Sequence, residues 1–301
     1  MLYPQGATMF RLLTSFVRLF SLEHHDRAAF YTSPVLKNQA IFVLYRVLAA
    51  GVWGSFNVWS LLNALLNQNW LWFARLTHWT MILLTAHLVF SAVLAWKHLC
   101  EKKHNKKPVP QDTAQDDNMS SSRELKTSED NGSKLTCCNK TSWVLFNLAS
   151  ASSFCVTSLY VTLIATPRHF VGVMEHIINS VIVVVDIVVN GIPVKVHHFV
   201  YPSLVGTAYA VFSMIYWALG GLGKNGETFL YPPLKYEKEH RARTLCFIAV
   251  CLVFVLPLLQ ALCCALRHLR SRLIVGLAPN VGILQFSPEK EANNQCSYMH
   301  V

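Results

Sequence analysis

EHIINSVIVVVDIVVN, residues 175–190, is apolar enough for a membrane interior, yet it carries a histidine, two asparagines and an aspartate. On a helix turning about 100° per residue, measured from His176, Asn179 falls at about 300°, Asp186 at about 280° and Asn190 at about 320°. The four polar groups therefore share one stripe about 80° wide, and Val and Ile take most of the remaining surface. Acyl chains give a carboxylate or an amide no partner, so this stripe has to face a cavity or a neighbouring helix. What it faces is the functional question.

The rest of the chain supplies the neighbours. Its 301 residues are 53% hydrophobic and 14% charged, with a mean hydropathy of +0.34. Soluble domains carry about 25% charged residues, so the composition points to a multi-pass membrane protein. Apolar runs of spanning length fall at roughly 40–62, 79–99, 142–165, 172–192, 199–219 and 245–266. The expected fold class is all-α, a polytopic bundle of six transmembrane helices. The expected division is a cytoplasmic N-terminal segment over 1–38, a six-helix domain over 39–266 and a cytoplasmic tail over 267–301. Tryptophans and tyrosines near the span ends, Trp70, Trp72, Trp79, Trp96, Trp143, Trp217 and Tyr231, fit an aromatic belt.

Within the N-terminal segment, MFRLLTSFVRLFSL (9–22) has Arg11 and Arg18 inside its apolar stretch and no small-residue cleavage site. It is expected to be uncleaved, and its apolar residues recur at helical spacing. It suits an amphipathic helix lying in the interface, or one packed on the bundle.

With both termini inside, nineteen of the 26 Lys and Arg residues fall on the inner side. Arg75, Arg168, Lys224, Lys235, Lys238, Arg241 and Arg243 fall outside. That bias predicts an N-in, C-in orientation. The polar, lysine-rich loop over 100–141 is expected to be disordered and cytoplasmic. Its three glycosylation sequons, at Asn118, Asn131 and Asn139, argue the other way. Such triplets arise readily in Asn- and Ser-rich sequence, so the charge decides. The net charge of +10 lies mostly beside apolar segments, where it suits anionic lipid. No nucleic-acid-binding signature accompanies it, so membrane lipids, and no nucleic acid, are the expected partners.

The nine cysteines show no paired CxxC spacing, and there is no HExxH; no metal and no cofactor is expected. Cys100, Cys137, Cys138, Cys263 and Cys264 sit at span ends, as acylated cysteines or as small apolar residues. The C-terminal Met299-His300-Val301 has the form of a short PDZ ligand. GGLGKNGE (220–227) lacks the ending of a phosphate loop.

Asp186 near a bilayer centre costs about 2.5–3.5 kcal/mol unless it is paired, protonated or wet. It either hydrogen-bonds within the bundle, to His87 or Tyr209, or lines a pocket or proton path. The expected polar cavity comprises Asn179, Asp186, Asn190 and His87. Thr77, in RLTHWT (75–80), and His176 lie at span ends on the same side of the membrane. A threonine hydroxyl needs a base such as imidazole to become a nucleophile, so the pair is a candidate catalytic dyad. Thr77 equally suits a helix N-cap. Asp186 lies about 15 Å deeper than His176 on the helix, so Asn179, one turn away, would have to orient the imidazole. A haem reading pairs His78 with His176 and His98 with His197 or His198, but histidines at span ends usually serve as polar anchors.

HIINSVIVVVDIVVNGIPVKVHHFVYPSLVGTAYAVFSMIYWALGGLGKNGETFLYPPLKY resembles the rolling-stone family of multi-pass membrane proteins. His176, Asn179-Ser180, Asp186, Ile192-Pro193, His198-Phe199, Tyr201-Pro202, Tyr216-Trp217, Gly220-Gly221 and Tyr231-Pro232 carry the pattern. VLYRVLAAG (43–51) and RLTHWT fit its earlier part, while Lys235-Tyr236 departs from the family's Asp-Trp. The resemblance covers roughly 25–100 and 142–266 and implies a role at the cell membrane or an endomembrane in myoblast or cell–cell fusion or differentiation. More distantly, the chain is similar to the androgen-induced family of integral-membrane threonine hydrolases, which cleave fatty acid esters of hydroxy fatty acids. Arg75-Leu76-Thr77-His78 lines up with that family's Phe-Leu-Thr-Phe, and the step from His176 to Asp186 matches its His-to-Glu step. His197 to Pro202 resembles its His-His-x-Tyr-Pro with one residue inserted. This implies a lipid ester substrate cleaved by Thr77 with His176 as base.

Overall fold

The computed structural model describes residues 22–104, 135–163 and 170–277, and all regular structure among them is helical. Helix α1, Gln39–Leu66, starts where the Asn38 side chain accepts the Ala40 N–H at 2.9 Å, which satisfies a backbone donor the helix leaves free. It ends at a left-handed turn on Gln68, and a short helix, Leu71–Ala74, leads into α2, Leu76–His104. Lys102, Lys103 and His104 in the last turn of α2 oppose the negative end of its dipole. Helix α3 covers Cys137–Leu163. The fourth span is a short helix, Phe170–Val173, a π-helical turn, Met174–Ile178, and α4, Asn179–Val189. A 3-10 turn, Val196–Phe199, opens onto α5, Val200–Ala218. The last span joins α6, Arg241–Val250, to α7, Leu256–Leu277, through a second π turn at Cys251–Val255. Pro257 has no N–H and its ring crowds the carbonyl four residues back, which explains the irregular turn before it.

Among the described residues, six stretches are long and apolar enough to cross a membrane: Gln39–Leu66, Leu76–His104, Cys137–Leu163, Val171–Val189, Val196–Ala218 and Arg241–Gly276. They correspond one for one to the six expected spans, all but the fourth longer than expected and the second and sixth most so. Val52, Val58, Val93, Phe254 and Leu258 lie exposed along their outer faces, as lipid-facing side chains do.

Helix α3 is the pivot, packing on α2, α4, α5 and α7. Its run Ala149, Ser150, Ala151, Ser152, Ser153 is buried throughout, and such small side chains let neighbouring backbones approach closely. Trp53, Met81, Leu84, Leu88, Phe146, Val183 and Ile187 fill the core beside it. Trp143, expected in the aromatic belt, is instead fully buried: its Nε1–H donates to the Pro193 carbonyl at 2.6 Å and its ring meets Phe30 edge-on at 5.7 Å. Between α4 and α5 the helix stops because Pro193 cannot continue it and the Asn190 side chain caps the Ile192 N–H at 2.9 Å. A Cβ on Gly191 would lie 2.7 Å from the Ala29 carbonyl oxygen, so only glycine lets the N-terminal segment pass here.

The expected interfacial helix at 9–22 lies, save for its last residue, outside the described residues, as do the sequons at Asn118 and Asn131. Asn139 is described: it sits in the first turn of α3 and is 4% exposed, which closes that sequon to glycosylation in the folded chain.

Candidate functional site

The Val-rich flank of α4 faces outward through Val181, Val184, Val185 and Val188, while Asn179, Asp186 and Asn190 are buried. Asp186, 1% exposed, takes an ion pair from Arg46 on α1. His87 Nε2 on α2 lies 2.9 Å from its Oδ2, Asn190 donates to the same oxygen at 2.9 Å, and the Tyr45 hydroxyl donates to Oδ1 at 3.3 Å. His87 Nδ1 lies 3.4 Å from the Ser91 hydroxyl, so both ring nitrogens face a polar partner. Arg270 on α7 reaches the Ile187 carbonyl at 3.0 Å and that of Asn190, and Arg267 reaches Ile192. Asp186, Asn190 and His87 thus close on one another and on Arg46, tying α1, α2, α4 and α7 together. Of the two expected Asp186 partners, His87 is found; Tyr209 instead donates to the Ala74 carbonyl at 2.9 Å.

His176 is not on that stripe. The π turn Met174–Ile178 breaks the uniform 100° rotation, so residues before Asn179 are turned away from the face that α4 buries. The Thr157 hydroxyl donates to the His176 carbonyl that the wide turn leaves over. Asn179 does not reach the His176 ring: it accepts from the Ser153 hydroxyl at 3.0 Å and donates to Thr80 at 3.4 Å.

His176 stacks on Tyr160 with ring centroids 3.9 Å apart, and its Nδ1 is buried without a hydrogen-bond partner among the described residues. It walls an apolar cavity of about 120 Å³ together with Thr77, Leu159, Tyr209, Tyr231 and Leu252. Both members of the candidate dyad therefore line one cavity. They are not hydrogen-bonded to each other, and Thr77 lies inside the first turn of α2, which begins at Leu76.

Glu175, the neighbour of His176, faces the other way. Its Oε1 lies 3.4 Å from His78 Nε2 and accepts from the Ser60 hydroxyl at 3.3 Å. His78 Nδ1 lies 2.6 Å from the Trp72 carbonyl oxygen, its ring stacks on Trp72 at 4.5 Å, and the Trp72 indole donates to Ser60 at 3.0 Å. This cluster forms part of the wall of a second, polar pocket of about 340 Å³, with Trp59, Asn63, Asn67 and Arg75. The haem pairing meets these contacts directly, since both nitrogens of His78 already face protein oxygens. Among the described residues no three His, Cys, Asp or Glu side chains gather as metal ligands.

Sequence reasoning missed Arg46, Arg270, Glu175 and Ser60. Arg46 carried a usable signal, an arginine inside the apolar run VLYRVLAAG. Glu175 stood at the head of the decisive stretch. Ser60 carried none, because a serine in a helix pays little in lipid.

A family model described as Protein rolling stone matches residues 17–280. Protein rolling stone of Drosophila melanogaster is 24% identical over 120 residues, which cover 38% of this chain and 42% of that protein. The match thus spans less than half the length of this relative. No solved structure matches the chain.

Proposed function

Because the chain belongs to the rolling-stone family and is a multi-pass integral membrane protein of the cell membrane or an endomembrane, we propose that it acts in myoblast or other cell–cell fusion, or in the differentiation that precedes it. One observation carries this reading: the family match, residues 17–280, runs through all six spans rather than one motif. Depleting the protein from cells that express it while fusing, then scoring content mixing between two dye-loaded populations, is the test. Fewer mixed cells, restored by re-expression, is the expected result; unchanged mixing at full depletion removes the reading.

A second reading, intramembrane hydrolysis of a lipid ester by Thr77 with His176 as base, is favoured by the cavity the two residues share. An apolar chamber suits the acyl part of such a substrate, and imidazole with a free ring nitrogen can accept a hydroxyl proton. Labelling by a fluorophosphonate probe, lost in both Thr77→Ala and His176→Ala, is the outcome this reading requires. Correctly folded protein that takes no label ends it.

A further inference from the structure

We propose that the polar pocket beside Glu175 binds a phosphate-bearing head group through Arg75. Its walls come from the last turns of α1 (Trp59, Asn63, Asn67), the connection to α2 (Asn69, Arg75) and the turn carrying Glu175. At about 340 Å³ it holds far more than a single water, whose share of liquid volume is about 30 Å³.

The polar groups deepest in this wall are already matched, with one exception. Glu175 is held by His78 and Ser60, and His78 is held between Glu175 and the Trp72 carbonyl; at the exposed rim Asn67 donates to the Asn63 carbonyl at 2.7 Å. Arg75 lines the same pocket, half-buried, and its guanidinium makes no hydrogen bond or ion pair among the described residues. A guanidinium that has given up part of its hydration and has no protein partner is matched by an anionic oxygen. Its planar fork fits a phosphate at two oxygens, and the amides of Asn63 and Asn69 add donors around the same space.

The surroundings favour an amphiphile. Trp59 and Trp70 are exposed beside the pocket, and exposed tryptophans mark the head-group level of a bilayer. Residues 75–78 also separate two chambers: Arg75 and His78 line the polar pocket, Leu76 and Thr77 the apolar cavity. Glu175 and His176 divide in the same way. A phosphate on Arg75 would therefore sit next to a space suited to a hydrocarbon tail. The site stands whether or not Thr77 reacts.

The test uses the full chain in lipid-free detergent and reads binding by thermal stabilisation and by titration. The probes are dioctanoyl phosphatidic acid, dioctanoylglycerol as its phosphate-free counterpart, and inorganic phosphate. Phosphatidic acid is expected to bind and dioctanoylglycerol to fail. Arg75→Ala should weaken phosphatidic acid about tenfold or more, the loss expected for one charge-assisted contact, with Arg75→Lys in between. Lys224→Ala, which removes an equal charge from an exposed loop outside the pocket, should leave binding unchanged. Competition by inorganic phosphate would identify a free phosphate ester as the natural source, and its failure to compete would identify a lipid; both keep the site. Three results would overturn it: no phosphate compound binds, the phosphate-free lipid binds equally well, or Arg75→Ala binds like wild type while eluting and unfolding as a folded protein.

Discussion

Asp186 shows at the scale of one residue how a carboxylate is kept inside an apolar bundle. It is held by a cation, an imidazole, an amide and a phenol drawn from α1, α2 and α4. Removing one partner of a buried pair leaves an uncompensated charge, whereas replacing both with apolar groups of similar size is often neutral. Asp186→Asn and Arg46→Met are each expected to destabilise by about 3–5 kcal/mol. The double variant Arg46→Met/Asp186→Leu should recover most of that loss, as read by unfolding in mixed micelles. Single variants within about 0.5 kcal/mol of wild type would show that the cluster does not hold the bundle. That Asp186 needed a partner was legible from its type and place. That the partner is Arg46, some 140 positions away in sequence, was not, because no local period links them.

At the scale of an element, the fourth span departs from uniform geometry at both ends. The π turn before α4 swings His176 onto Tyr160 and the apolar cavity while Asn179 keeps its place in the core. At the other end Gly191 lies under the Ala29 carbonyl. Gly191→Ala forces a methyl against backbone that has nowhere to go, and about 1–3 kcal/mol of destabilisation is expected. Gly51→Ala, inside α1 with nothing within 4 Å of the new Cβ, should instead stabilise by about 0.5–1 kcal/mol through helix propensity. Thermal unfolding of the two variants side by side checks the contrast, and equal shifts would contradict the close approach at Gly191. The Gly191-Ile192-Pro193 break was readable in the sequence as a stop. The π turn was not, because no residue type in Met174–Ile178 demands it; packing against Thr157 and Tyr160 does.

For the whole molecule the open prediction is orientation. Among the described residues, Arg46, Lys195, Arg267 and Arg270 of the nineteen inner-side cations are engaged within the protein. With these four set aside, fifteen still outnumber the seven on the outer side, so N-in, C-in is the expected insertion. Endoglycosidase treatment of protein made in cells should then cause no mobility shift. A shift abolished by replacing Asn118 and Asn131 would invert the topology, and Asn139→Gln should change nothing in either case because that side chain is buried.

Spanning helices were determined by the sequence itself, because covering about 30 Å of hydrocarbon with apolar side chains is a local property of each run. So was the inward turn of the α4 stripe, since helical period and the cost of polar groups in lipid are both local. Only the tertiary structure decided which groups meet: Arg46 with Asp186, Glu175 with His78, and Thr77 with His176 across one cavity. Those meetings depend on helix crossings and on two irregular turns, and the energies that set them come from packing between segments far apart in the chain.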